Sequence, residues 1–268
     1  MSKLQTIIKK DILDSLKNWE TLYSLIGIPI ASFFIIIQML NRKMNAPILF
    51  PTHYSNFYKN IEGLYTVYGL NHFEPQIAFT MLQFNTVYFF IIALISCVMP
   101  FVLSATSLTT EKEQDTLETL FALPFTTKEI LTSKIIASVV LPFLGSLMCY
   151  PFVIAAVYLK YDAAIAYYLL GIKWWLLHLI IVPIYALVTA SGGICISLKV
   201  KTSRAAIFIA ALFYIPFMGI IIPLMYGTLL FNFQFILFSI IAGSIMFVIL
   251  FLLAFHLFDR EKMLLRYR

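Results

Sequence analysis

Residues 109–134 read TTEKEQDTLETLFALPFTTKEILTSK. This is the one long polar, charge-dense stretch lying between two long apolar runs. It holds eight charges: Glu111, Lys112, Glu113, Asp115, Glu118, Lys128, Glu129 and Lys134. Before it, Gln76 to Thr110 contains no charge in 35 residues, and after it Ile135 to Leu159 contains none in 25. About 20 apolar residues in a helix cross the hydrocarbon of a bilayer. The stretch therefore reads as the link between two membrane spans, and the rest of the chain supports that reading.

Composition sets the class. The 268 residues are 61% hydrophobic and only 12% charged, with mean hydropathy +0.91. A soluble domain is about 45–50% apolar and about 25% charged. Half the usual charge cannot cover a soluble surface of this size. The expectation is an all-α polytopic membrane protein forming one domain over 1–268. Spans are predicted at about 21–40, 82–107, 135–159, 174–198, 205–225 and 235–257. The run from Ala205 to Phe258, 54 residues without Asp, Glu, Lys or Arg, is long enough for two of them, with Pro223, Gly227 and Asn232 marking the turn.

Ahead of the first span, Leu4, Ile8, Ile12, Leu16 and Trp19 fall on one helical face, and lysines fill much of the remainder. That pattern suits an amphipathic helix lying in the membrane interface. Between the first two spans, 41–74 reads as an outer loop rich in Tyr and Phe. Its His53 and His72 have no acidic partner at ligand spacing.

Six spans place both termini on one side. Fourteen of the 19 Lys and Arg collect on the side of the termini, the 109–134 stretch and the Lys199–Lys201–Arg204 turn, against five on the other. The positive-inside rule then makes that side cytoplasmic, in a cell membrane that is expected to be bacterial.

Several chemistries find no support. No proposed span contains Asp, Glu, Lys or Arg, which ion-coupled transport places at membrane depth. No HExxH, paired intramembrane aspartates or P-loop occurs. Cys97, Cys149 and Cys195 lie in apolar runs without metal-ligand spacing. The expectation is a chain that is not itself an enzyme and holds no cofactor or metal. Nucleic acid is not implied by the net charge of +6, since the membrane accounts for the basic residues. Prolines 29, 100, 142, 151, 183, 216 and 223 fall in spans, where they bend helices and free carbonyls. Pro100 is expected to kink the second span. Ser191-Gly192-Gly193 and Gly243-Ser244 permit close helix approach.

The central stretch has its own local grammar. Thr110-x-x-Glu113 fits a capping box that would start a helix at Glu111. Leu117, Leu120, Phe121 and Leu123 give that helix an apolar side, and Pro124 ends it. Thr126-x-x-Glu129 is a second capping box, opening a helix that continues as the third span.

These residues resemble the signature of ATP-binding-cassette (ABC) type-2 transporter permeases. The signature joins a Glu-rich entry, a Thr-Leu-Glu, a break formed by a Leu and a following Pro, a Lys/Arg-Glu-Ile-Leu and a closing Lys. Here they are Glu111 and Glu113, Thr116-Leu117-Glu118, Leu120 with Pro124, Lys128-Glu129-Ile130-Leu131 and Lys134. Two positions depart. Asp115 stands where Gly commonly precedes the Thr-Leu-Glu, and Ser133 stands where Gly commonly precedes the Lys. The resemblance implies a permease that pairs with a second permease copy, most simply as a homodimer, with a heterodimer as the alternative. It further implies a separate cytoplasmic ABC ATPase docked on Glu111, Glu113, Thr116, Leu117, Glu118, Leu120, Phe121, Pro124, Lys128, Glu129 and Lys134. The cargo it implies is exported, and the aromatic, aliphatic spans favour an apolar or amphipathic molecule such as a peptide, drug or lipid. A membrane-anchored immunity or scaffold protein, or a secondary transporter, is the alternative.

Overall fold

In a computed structural model, the protein is described over residues 3–17, 97–159, 177–212 and 233–258, with eight scattered positions besides. Among the described residues every regular element is a helix. Helix α1 is Lys3–Lys17, α2 Met99–Glu113, α3 Leu117–Ala122 and α4 Thr127–Tyr158. A π-helical turn, Leu177–Ile181, leads into α5, Val182–Lys199. Then come α6, Ser203–Leu212, and α7, Phe233–Leu257.

Three segments among the described residues are long and apolar enough to cross a membrane: Thr127–Tyr158, His178–Lys199 and Leu237–Leu257. In position they overlap the apolar runs at 135–159, 174–198 and 235–257. Most of the predicted first span, the 41–74 loop and most of the fifth span lie outside the described residues, as does the second span before Cys97. At 32 residues α4 is about 48 Å long, half as long again as a hydrocarbon core. Its charges, Lys128, Glu129 and Lys134, all fall in its first eight residues, so the first two turns stand clear of the apolar part.

Helix α5 is the centre of the packing. It lies against α2, α4 and α7, while α1 packs on α4. Small residues allow this. A Cβ added to Gly193 of α5 would stand 2.5 Å from the Phe101 carbonyl oxygen and 2.9 Å from the Ala105 nitrogen of α2, so the two backbones all but touch. A Cβ added to Gly243 of α7 would stand 2.8 Å from the Ile184 side chain of α5.

Polar side chains in these helices satisfy themselves locally. Ser104, Thr106, Ser107 and Thr109 of α2 each donate to a carbonyl three or four residues back. In an apolar surrounding this removes the cost of an unpaired hydroxyl. The prolines mark irregularities. Pro100 stands in the first turn of α2, just after π-helical Cys97–Val98, and Pro183 stands in the first turn of α5, just after the π-helical turn. Proline lacks the N–H that would continue the ladder, so the bonding register changes there.

One local reading is corrected. Thr110 does not start a helix. It lies inside α2, which runs unbroken to Glu113. The Ser/Thr-x-x-Glu spacing recurs wherever these residues share a helix, and it caps only where the backbone turns. Here the turn comes later. The Thr116 N–H donates to the Glu111 carbonyl at 3.0 Å and the Asp115 N–H to the Lys112 carbonyl at 3.4 Å, with Asp115 at φ 55°. Those two bonds form a Schellman motif with Asp115 at the left-handed position that glycine usually occupies.

The second capping box is present as read. The Thr126 hydroxyl accepts the Glu129 N–H, and the Glu129 carboxylate accepts the Thr126 N–H at 2.7 Å. Leu123 before Pro124 is extended, at φ −73° and ψ 147°, and closes α3.

Candidate functional site

The segment from Gln114 to Thr126 projects beyond the apolar part of α4 as a turn, one short helix and a second turn. Its helix α3 is held from beneath. Leu117 and Leu120 are buried, in one cluster with Leu108 of α2, Ile130 and Leu131 of α4, Ile194 and Leu198 of α5, and Ala254 of α7. The Phe121 ring meets the Phe258 ring edge-on, with centroids 5.7 Å apart. Burying a Leu stabilises by about 1.5–3 kcal/mol, which suffices to fix a six-residue helix that could not persist alone. The outer side carries Glu118, Thr119, Ala122, Leu123 and Pro124, all exposed, with Thr116 exposed in the preceding turn and Lys128 beyond. The Lys128 ammonium lies 5.4 Å from the centre of the Phe255 ring.

The three charges at the end of α2 grip three different elements. Glu111 bonds the Lys134 ammonium of α4 at 3.0 Å, and Lys134 also stands 3.7 Å from Asp11 of α1. Lys134 is 2% exposed, so it ties α1, α2 and α4 together in the interior. Lys112, 7% exposed, reaches the carbonyls of Ser197, of Leu198 at 3.4 Å and of Val200 at 2.9 Å. These lie at the C-terminal end of α5, where carbonyls lack helical partners and a cation is favoured. Glu113 accepts the Ser203 N–H at 2.8 Å and the Ser203 hydroxyl at 2.7 Å, closing the start of α6. Thr202 caps the same end by accepting the Ala205 N–H at 3.3 Å. The bonds from Ser203, hydroxyl first and backbone second, hold the Glu113 carboxyl below its ordinary range.

Lys112 and Glu113 thus clasp the 199–203 turn from both ends. Among the residues expected at the site, Glu118, Thr116, Pro124 and Lys128 are exposed, while Leu117, Leu120 and Lys134 are buried. Glu111, Phe121 and Glu129 are partly buried, and Glu113 is exposed but bonded to Ser203. Lys112, Ser203 and Asp11 were not among the residues expected at the site. No local spacing links Lys112 to a turn 85–88 residues away, and a buried lysine reads like any other.

A family model for ABC-2 family transporter proteins matches residues 5–237, most of the chain. The protein belongs to the ABC-2 transporter family. The resemblance carried by the 109–134 stretch is therefore met over nearly the whole length. A search of curated proteins gave no match. As an ABC-2 transporter family member, the chain is a membrane protein of a transporter, and the family implies an ABC ATPase subunit as partner. The projecting segment and its three-way attachment lie wholly within the matched residues.

Proposed function

We propose that this chain is the permease subunit of an ABC exporter, and that the outer side of α3 receives force from a separate cytoplasmic ATPase. The observation that carries the reading is the combination of an exposed ridge with a buried root. Glu118, Leu123, Pro124 and Lys128 face outward, while Leu117 and Leu120 beneath them share a core with α2, α4, α5 and α7. A push on such a knob displaces the spans instead of bending a loop, because close-packed interiors transmit strain. In this reading Glu118, Thr116, Pro124 and Lys128 contact the partner. Glu111, Glu113, Leu117, Leu120, Phe121, Glu129 and Lys134 hold the contact surface in place.

The sequence supplies no ATP site and no membrane-depth charge, so the energy enters from outside the chain. The basic bias of this face supports a cytoplasmic placement in the cell membrane. The apolar spans support an apolar or amphipathic cargo, and a second copy of the chain completes the pathway.

Co-purification with the ATPase, followed by ATP-driven transport in liposomes, tests the proposal. The wild-type chain is expected to retain the ATPase, and Glu118→Lys is expected to release it without changing thermal stability. An ATPase that stays bound and coupled to a Glu118→Lys, Pro124→Asp double variant would refute the docking surface. A chain that binds its ATPase but never moves cargo in liposomes would favour a scaffold over a transporter.

A further inference from the structure

Between α1, the last three turns of α2 and the first three turns of α4 lies a cleft of about 610 Å3. Small-molecule sites commonly fall between about 300 and 1,000 Å3. Its walls carry the carboxylates of Asp11, Asp14 and Glu111, the ammoniums of Lys10, Lys17 and Lys134, the Gln114 amide and several hydroxyls. The Thr106 hydroxyl donates to the Val102 carbonyl at 3.0 Å, Ser107 to Ser104 at 2.9 Å and Ser138 to Lys134 at 2.8 Å. Each hydroxyl proton is therefore engaged within its own helix, and what these side chains offer a ligand is oxygen lone pairs.

The carboxylates add to this. Lys134 serves Glu111 through Oε1 and Asp11 through Oδ2, one cation between two anions. Glu111 Oε2 is buried with no hydrogen-bond partner, and Asp11 Oδ2 has only the 3.7 Å charge contact. Two carboxylates share one ammonium here, so the local charge stays negative, and a ligand bearing N–H groups and positive charge would balance it.

The mouth differs from the floor. Lys10 and Lys17, two helical turns apart on α1, are exposed and also line the cleft, with Asp14 between them. An anionic group suits that rim. On the same helix Leu13 and Leu16 are exposed, with Trp19 just beyond at 69% exposure, an apolar edge adjoining the polar cleft.

We infer that this cleft binds the head group of an amphiphile that carries a primary ammonium beside an anionic group. The ammonium meets Glu111, Asp11 and the α2 hydroxyls, the anionic group meets Lys10 and Lys17, and the hydrocarbon chain lies along the apolar edge of α1 in the bilayer. The inference rests on the proposed transport reading only for the role of this molecule as cargo.

The test is direct binding to the purified full-length chain in nanodiscs, without the ATPase. Dodecylphosphoethanolamine and dodecylphosphocholine share chain and phosphate, and only the first has N–H donors. The first is expected to bind at least ten-fold more tightly. Glu111→Gln is expected to cut that preference below three-fold. The Thr106→Val, Ser107→Ala pair, which leaves the Lys134 ion pairs intact, is expected to reduce it as well.

Equal binding of the two head groups, or a preference that survives both variants, would overturn the inference. So would chain-free phosphoethanolamine binding as tightly as the amphiphile, since the site would then be one for a soluble molecule. Loss of ATPase coupling with head-group preference intact would instead sink the proposed function alone.

Discussion

Replacing Lys112 by Met removes the cation from the end of α5 while keeping an unbranched stem of similar length. In the wild type the ammonium serves carbonyls of Ser197, Leu198 and Val200 and is 7% exposed. Water has little access to take its place. Losing a charged hydrogen bond to a buried acceptor costs about 1.5–3 kcal/mol. Losing the favourable charge at a helix C-terminus costs about 0.3–1 kcal/mol more. The total is about 3 kcal/mol, which for a chain of this size corresponds to a fall of about 6–12 °C in Tm.

Lys128→Met is the control. Lys128 is exposed, and its approach to the Phe255 ring is worth about 0.5–1 kcal/mol. Thermal unfolding of both variants in nanodiscs, followed by intrinsic fluorescence, gives the comparison. If Lys112→Met melted within about 2 °C of the wild type, or no lower than Lys128→Met, the clasp on the 199–203 turn would not be a stabilising contact.

Asp115 holds a left-handed φ of 55°, so Asp115→Gly is expected to stabilise by up to about 1 kcal/mol and Asp115→Val to destabilise by at least as much, read by denaturant or heat. Gly193→Ala places a methyl against the Phe101 and Ala105 backbone; about 1–3 kcal/mol of overpacking is expected, together with loss of transport in liposomes. Glu113→Ala tests pH linkage. The Glu113 carboxyl is lowered in the folded protein by its bonds from Ser203, so its contribution is present above the unfolded value of 4.5 and is lost as pH falls through the lowered folded value. The Tm gap between wild type and Glu113→Ala should accordingly be flat near neutral pH and close only in acid, and a gap that widened in acid would contradict the assignment.

The features legible in the sequence are those decided over a few residues. The apolar runs give the helical class, because a span needs only length and hydropathy. The Thr126 cap and the break at Pro124 follow from chemistry within four residues. The family resemblance rested on a contiguous motif and was likewise readable. What stayed hidden depends on partners distant along the chain. Thr110-x-x-Glu113 has the spacing of a cap, yet Glu113 turns to Ser203, 90 residues away. Leu117 and Leu120 have the spacing of a helical ridge, but which way it faces was settled by Ile194, Leu198 and Ala254 on other helices. Lys134 closed a motif in sequence, and its partners Asp11 and Glu111 lie on two other helices.

The three consecutive charges at the end of α2 also bear on which length changes the chain tolerates. Each residue in an α-helix turns the next side chain by about 100°. Inserting or deleting one residue between Leu108 and Glu111 would swing Glu111, Lys112 and Glu113 off Lys134, the Ser197, Leu198 and Val200 carbonyls and Ser203 in a single step. No one substitution elsewhere could restore all three. The exposed turn at Leu123–Pro124 makes no such long-range bond in its side chains and ends in an independent cap at Thr126. A length change at that turn leaves the three-way clasp intact and falls on the proposed ATPase contact alone, whereas the last helical turn of α2 is fixed in length by the clasp itself.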